Sequence, residues 1–257
     1  MTTHKPTQAA SRVKTATEKA ASPTPSGTNG GERTENAKVV PLDQWWAATA
    51  QRDADRVAAK TTEYGSSGGD LVAVGRSVME IGPSHTVPAG VDPEAYAAEV
   101  GVYFYALGKA ARIEEGYRAG HLASDETWSD LTTYSMMARR IRAAGQWGGK
   151  DLAKWYVDTA RSDRAIVTPK TIEYGAQGDD LVMSGSSIAR INGIATPAKR
   201  SERGFHTELA IFLYIRGKLA RLEEGYRAGR LPSDDTWFDT TVYSMMARRA
   251  REVGYFG

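Results

Sequence analysis

Two acidic pairs stand one helical turn apart in this chain: Glu126 with Asp130, and Asp235 with Asp239. A helix turns about 100° per residue, so the carboxylates of each pair lie within about 40° of one another. The same face takes in Tyr134, Met137 and Ile141 after the first pair, and Tyr243, Met246 and Ala250 after the second. An apolar stripe of that kind points inward, which sets the carboxylates at the edge of a partly buried space. Unpaired charge is costly there. Two chemistries answer the cost. The acids could pair with cations of a neighbouring helix, where Lys109 and Arg112, repeated as Lys218 and Arg221, are available. Alternatively they could coordinate a hard divalent cation such as Mg²⁺, which takes oxygen ligands and keeps waters for a phosphate substrate. Acids in a first helical turn are also ordinary dipole partners.

The elements that must position these residues occur twice. Glu99 to Gly148 aligns without a gap on Glu208 to Gly257, with 30 of 50 positions identical. Upstream, Lys60 to Ile81 matches Lys170 to Ile191. A spacing of about one hundred residues is too long for a solenoid unit and indicates two copies of one domain. Helix signals recur in each copy. Asp43 can cap a first helix that ends near Gly65, and Asp70 starts a short second one. Asp92-Pro93 opens a third, and Ser124-Asp125 caps a fourth that Gly145 stops. No segment alternates with period two. The expectation is an all-α protein of two tandem four-helix units, 41–148 and 149–257, packed as a pseudo-dimer, because each unit alone is small. Residues 1–40 are rich in Thr, Ser, Ala, Pro and Gly and read as a disordered tail.

Composition narrows the partners. The net charge is +2 and the tail carries +3, so the body is near neutral and argues against a general nucleic-acid-binding surface. There are no cysteines, which excludes disulfides, thiolate metal sites and thiol nucleophiles. No apolar run reaches the length of roughly 18 residues needed for a membrane span, and no secretory signal is visible, so a cytoplasmic protein is expected. His4, His85, His121 and His206 fit no zinc spacing. Gly108 and Gly217 fall mid-helix in both copies and read as sites of close helix packing. Trp128 and Trp237 read as inter-repeat packing, with base stacking as the alternative. The repeated Tyr-Ser-Met-Met-Ala-Arg-Arg segment reads as core methionines followed by arginines that complement the helix dipole.

The order of these motifs resembles the MazG-like all-α nucleoside triphosphate pyrophosphohydrolases, in particular the nucleotide-modification-associated branch common in bacteriophages. The resemblance rests on Lys60-Thr-Thr-Glu63-Tyr64-Gly65, Lys109-Ala-Ala-Arg112 and Glu126-Thr-Trp-Ser-Asp130-Leu-Thr-Thr-Tyr134. The second copy has Lys170-Thr-Ile-Glu173-Tyr174-Gly175, Lys218-Leu-Ala-Arg221 and Asp235-Thr-Trp-Phe-Asp239-Thr-Thr-Val-Tyr243. It implies a helical bundle that is usually dimeric, Mg²⁺ as cofactor, and hydrolysis of a (d)NTP to NMP and pyrophosphate. It also implies roles. Glu126, Asp130, Asp235 and Asp239 would be catalytic and bind the metal, joined by Glu99 and Glu208 from the preceding helix. Lys60, Lys109, Arg112, Lys170, Lys218 and Arg221 would hold phosphates.

One departure stands out. The family's preceding helix carries two glutamates a turn apart, whereas here Tyr103 and Phe212 stand one turn after Glu99 and Glu208. A full acidic cage would have to recruit Glu63 or Asp70, and Glu173 or Asp180. The alternative function is therefore a helical interaction protein that keeps the fold, without the chemistry, and binds a protein or nucleotide partner or associates further with itself.

Overall fold

The described residues form eight helices, and cap chemistry sets the ends of several of them. The computed structural model describes residues 40–64, 68–81, 86–173, 179–198 and 200–255, apart from the side chains of 62–64 and 170–173. The helices are α1 (Leu42–Tyr64), α2 (Gly69–Ile81), α3 (Pro93–Arg118), α4 (Asp125–Ala144), α5 (Leu152–Glu173), α6 (Asp179–Asn192), α7 (Glu202–Arg227) and α8 (Asp234–Val253). Asp92 caps α3, accepting from the Ala95 amide at 2.8 Å, with Pro93 at the first helical position. Ser124 caps α4, and Gly145 ends it at φ 72°, a left-handed conformation that costs glycine little. Asp43 and Asp70 lie inside the first turns of α1 and α2 rather than at their caps, where they still complement the helix dipole. Among the described residues there is no strand, and no helix is long and apolar enough to cross a membrane. The expected tail over 1–40, Gly65 and Gly175 fall outside the described residues, Val40 excepted.

Helix packing repeats between the two parts of the sequence. α2 lies on α3 as α6 lies on α7, α3 on α4 as α7 on α8, and α1 on α4 as α5 on α8. The remaining close pairs join three helices to their counterparts: α1 with α5, α3 with α7, α4 with α8. Val39–Gly257 is consequently one compact unit. Two apolar clusters border the α4/α8 pair. One contains Trp45, Trp46, Met136, Tyr156 and Met245 from α1, α4, α5 and α8; the other contains Tyr103, Ile113, Trp128, Phe205 and Trp237 and reaches into α2 and α6. Because α4 and α8 are covered from several directions, their buried set is broader than one stripe. It includes Trp128, Leu131, Thr132, Ser135 and Met136 as well as Met137 and Ile141.

The glycines divide by role. A Cβ at Gly75 would fall 1.7 Å from the Ala97 carbonyl oxygen, and one at Gly185 would fall 1.8 Å from that of His206. These positions let α2 touch α3, and α6 touch α7, backbone to backbone. Gly108 and Gly217 do not follow the expectation of close packing. Both are exposed, and a Cβ there would meet nothing within 4 Å. The α3 and α7 faces that carry them point away from the contacts that hold the bundle. Gly108→Ala and Gly217→Ala should each stabilise the protein by about 0.8–1 kcal/mol, the helix propensity difference. Gly75→Ala should destabilise it by about 1–3 kcal/mol, since backbone has to move. Urea denaturation of the three variants checks both signs.

Candidate functional site

Glu99 lies in α3 and is buried, and the helical arrangement surrounds it with donors. Arg142 of α4 reaches it with two guanidinium nitrogens at 2.5 and 2.8 Å. From the other half of the sequence, Trp237 donates its indole N–H at 3.0 Å and Tyr226 donates its hydroxyl. Glu208 repeats this arrangement with Arg251 at 2.7 and 2.8 Å, Trp128 at 3.2 Å and Tyr117 at 2.9 Å. Arg142 continues to Asp234 at 2.6 Å, and Arg251 to Asp125 at 2.7 Å. Arg200 adds a second cation to Glu208 alone, at 3.3 Å. Burial disfavours the charge of Arg142 and Arg251, yet the paired glutamates more than offset this and raise both pKa values. Burial, followed by the neighbouring glutamate charge, pushes the Tyr117 and Tyr226 phenols well above their ordinary value.

The arginines of the repeated segment form a second exchange. Arg139 of α4 grips Asp163 of α5 through two bonds of 2.6 and 2.8 Å. Arg248 of α8 grips Asp53 of α1 at 2.5 and 3.1 Å. Bidentate pairing of this kind suits the planar guanidinium fork. The dipole role expected of these arginines gives way to ion pairs with Asp53 and Asp163, acids that no motif marked. The signal was available, because both acids occupy equivalent places in the two halves.

Beside these pairs lies a cleft that carries charges of both signs. About 280 Å³ in volume, it lies between α1, the start of α2, α3 and α4, lined by Arg56, Lys60, Asp70, Tyr105, Asp130 and Tyr134 and backed by Trp147. Lys109 donates to Asp130 at 2.6 Å from behind its rim. Tyr105 and Tyr134 stack with ring centroids 5.6 Å apart and planes inclined by 17°. The Tyr134 phenol is pushed up to about 12 by burial first and then by the Asp130 charge; Asp70 adds to the rise and Arg112 opposes it. Two cations, Arg56 and Lys60, and two carboxylates, Asp70 and Asp130, line the cleft, and Lys109 adds its ammonium to Asp130 from outside that lining.

The residues singled out from sequence are distributed among different environments. Lys60 and Asp130 line the cleft, Lys109 is paired with Asp130, and Arg112 is exposed. In the second half Lys218 pairs with Asp239, and Tyr214 stacks on Tyr243 at 5.6 Å. Arg221 is exposed, and the Lys170, Glu63 and Glu173 side chains lie outside the described residues. Glu126 and Asp235 are exposed, contrary to the inward face expected of them. Trp128 and Trp237, each two residues further along its helix, occupy the inward direction of that first turn instead. Glu99 and Glu208 are turned into their arginine pairs and do not line the cleft. Among the described residues no three His, Asp or Glu side chains gather as a metal-binding group. Asp70 and Asp130 remain the two carboxylates of the cleft.

Two outcomes follow from the buried hubs. Glu99→Ala leaves Arg142 buried with only the exposed Asp234 as a charged partner. It should cost about 3 kcal/mol, the lower part of the range for breaking a buried pair, as read by chemical denaturation. The tyrosines predict alkaline sensitivity. Their folded pKa values lie above the ordinary 10.0. Their contribution is therefore complete below about pH 10 and is lost as pH rises from there towards the folded values. A melting series should decline above about pH 10, less steeply in a Tyr117→Phe and Tyr226→Phe double variant.

Comparison of the chain with protein-family models, with curated proteins and with solved structures gave no match.

Proposed function

We propose that this protein binds a nucleoside triphosphate with Mg²⁺ in the cleft lined by Arg56, Lys60, Asp70 and Asp130, on the plan of a MazG-like pyrophosphohydrolase. The observation that carries the reading is the cleft's composition. Two cations and two carboxylates line a space walled by two stacked tyrosines, and Lys60, Lys109 and Asp130 belong to the motifs that resemble that family. Cations there neutralise phosphate charge, and the partly buried setting strengthens them relative to water. Two carboxylates suit Mg²⁺, which is commonly held by one or two of them together with substrate phosphates and waters. Asp70 and Asp130 are the residues that would hold it. When bound, the cation supplies charge neutralisation on the phosphates and lowers the pKa of a coordinated water.

The protein's own residues have defined tasks in this reading. Lys109 exchanges Asp130 for an incoming phosphate, which releases a carboxylate oxygen at the cleft rim. Lys60 and Arg56 anchor the phosphate chain from α1, and Arg112 meets its solvent end. The Tyr105–Tyr134 stack offers an aromatic surface to the base. The reaction implied is hydrolysis of a (d)NTP to NMP and pyrophosphate.

A second reading, a helical binding protein that does not hydrolyse its nucleotide, is favoured by a specific observation. Glu99 and Glu208 are engaged by arginine, and Asp130 and Asp239 by lysine. The experiment is a screen of the full chain against NTPs and dNTPs, with and without Mg²⁺, following melting temperature and pyrophosphate release. The expected result is stabilisation by at least one nucleotide, enhanced by Mg²⁺. Asp130→Asn with Asp239→Asn should remove the Mg²⁺-dependent part while helical content persists, since asparagine keeps the shape without the charge. Pyrophosphate release marks the hydrolase, and stabilisation without release marks the binding protein. No shift with any nucleotide overturns both.

A further inference from the structure

The two halves share the lysine–aspartate pair and the stacked tyrosines, but they differ in one linked set of residues. Arg56 donates through Nη2 to Ser129 Oγ at 2.7 Å and to Thr133 Oγ1 at 2.9 Å, and its Nη1 lies 3.8 Å from Asp130. With Lys60 set on Lys170 and Asp130 set on Asp239, the corresponding positions hold Ile166, Phe238 and Val242. The guanidinium and both of its hydroxyl acceptors are replaced together by apolar groups. Ile166 does not fill the core in exchange, since it is 49% exposed.

The clamp on Asp53 does not depend on Arg56. Arg56 Nη2 lies 3.7 Å from Asp53, to which Ser129 also donates at 3.2 Å, yet Asp53 is held by Arg248 through two bonds, and the equivalent Asp163 is held by Arg139 with Ile166 in the arginine's place. The second half therefore maintains the same clamp without this guanidinium. What Arg56 adds is a cation on the cleft wall, aimed by two hydroxyls and beside Asp130. An arginine held in that way presents its remaining N–H groups to an anion, and its planar fork matches phosphate geometry.

We infer that Arg56 is a phosphate-binding residue positioned by Ser129 and Thr133, and that the chain takes one nucleotide, in the first-half cleft, rather than one per half. This rests on the nucleotide reading above and deepens it. The duplicated half keeps the pair Lys218–Asp239 as a structural ion pair and supports the site by packing.

Isothermal titration of the full chain with dATP and, separately, with inorganic tripolyphosphate, each with and without Mg²⁺, tests this. The expected result is one site per chain. Arg56→Ile, which copies the second half, should weaken binding about tenfold or more, as loss of a charge-assisted contact does. Arg56→Lys should bind with intermediate affinity, and Ser129→Ala with Thr133→Val should weaken binding while the stoichiometry stays at one. Circular dichroism melting accompanies each variant, and if Arg56→Ile does not fold, Arg56→Lys and the hydroxyl double variant decide. Two equivalent sites, or variants that bind as wild type does, overturn the inference and leave the nucleotide reading in place. Absence of binding by the wild-type chain to every probe overturns both.

Discussion

Two buried carboxylates, each answered by its own half's arginine and by the other half's aromatic donors, are the constraint on which the rest of the molecule depends. Glu99 needs Arg142, Tyr226 and Trp237 at once, and Glu208 needs Arg251, Tyr117 and Trp128. A buried ion pair contributes little net stability against an apolar replacement, yet leaving one member unpaired is costly. Its effect is selective. Any register of α3 against α7, or of α4 against α8, that moved these donors by one turn would strand charge. The hubs therefore define how the two parts of the sequence lie on each other, while the apolar clusters supply the gross burial.

The same principle extends outward along α4 and α8. Arg139 and Arg248 each cross to an aspartate on the first helix of the opposite half, so α1 and α5 are tied to the partner repeat as well as to their own. With α1 on α5 and α4 on α8, the two halves pack as one compact unit over Val39–Gly257. The exchanged arginines also allocate charge. Asp53 and Asp163 are neutralised inside the fold, and the acids at the start of α4 and α8, Asp125 and Asp234, extend the hubs to the surface.

The cleft is a product of that allocation. With Asp53 gripped by Arg248, Arg56 turns to Ser129 and Thr133 beside Asp130, and Lys60 and Asp70 complete the wall. A balanced set of cations and carboxylates in an aromatic-walled space differs from a cage of carboxylates, and it fits a phosphate that brings its own cation better than a bare metal ion. Lysine–aspartate pairing at the rim is also suited to exchange, because an incoming phosphate offers the ammonium an equivalent partner.

Helix content, helix ends and internal repetition were legible in the sequence, since they arise from local causes: Asp92 and Ser124 as caps, Gly145 as a stop, and identical residues at matching positions. The convergence of Lys109 on Asp130 was legible too, as one of two open alternatives. What the sequence could not determine was which carboxylates faced which cations. Angular position on α4 related Glu126 to Asp130 but did not say that Trp128 would take the inward direction and leave Glu126 in water, because burial depends on neighbours from three sides. Nor did spacing reveal that Glu99 would turn to Arg142, or that Gly108 would face open space. Those outcomes were decided by tertiary packing, since the partners stand 43 to 138 residues apart and meet only when the two halves exchange side chains across α3, α4, α7 and α8.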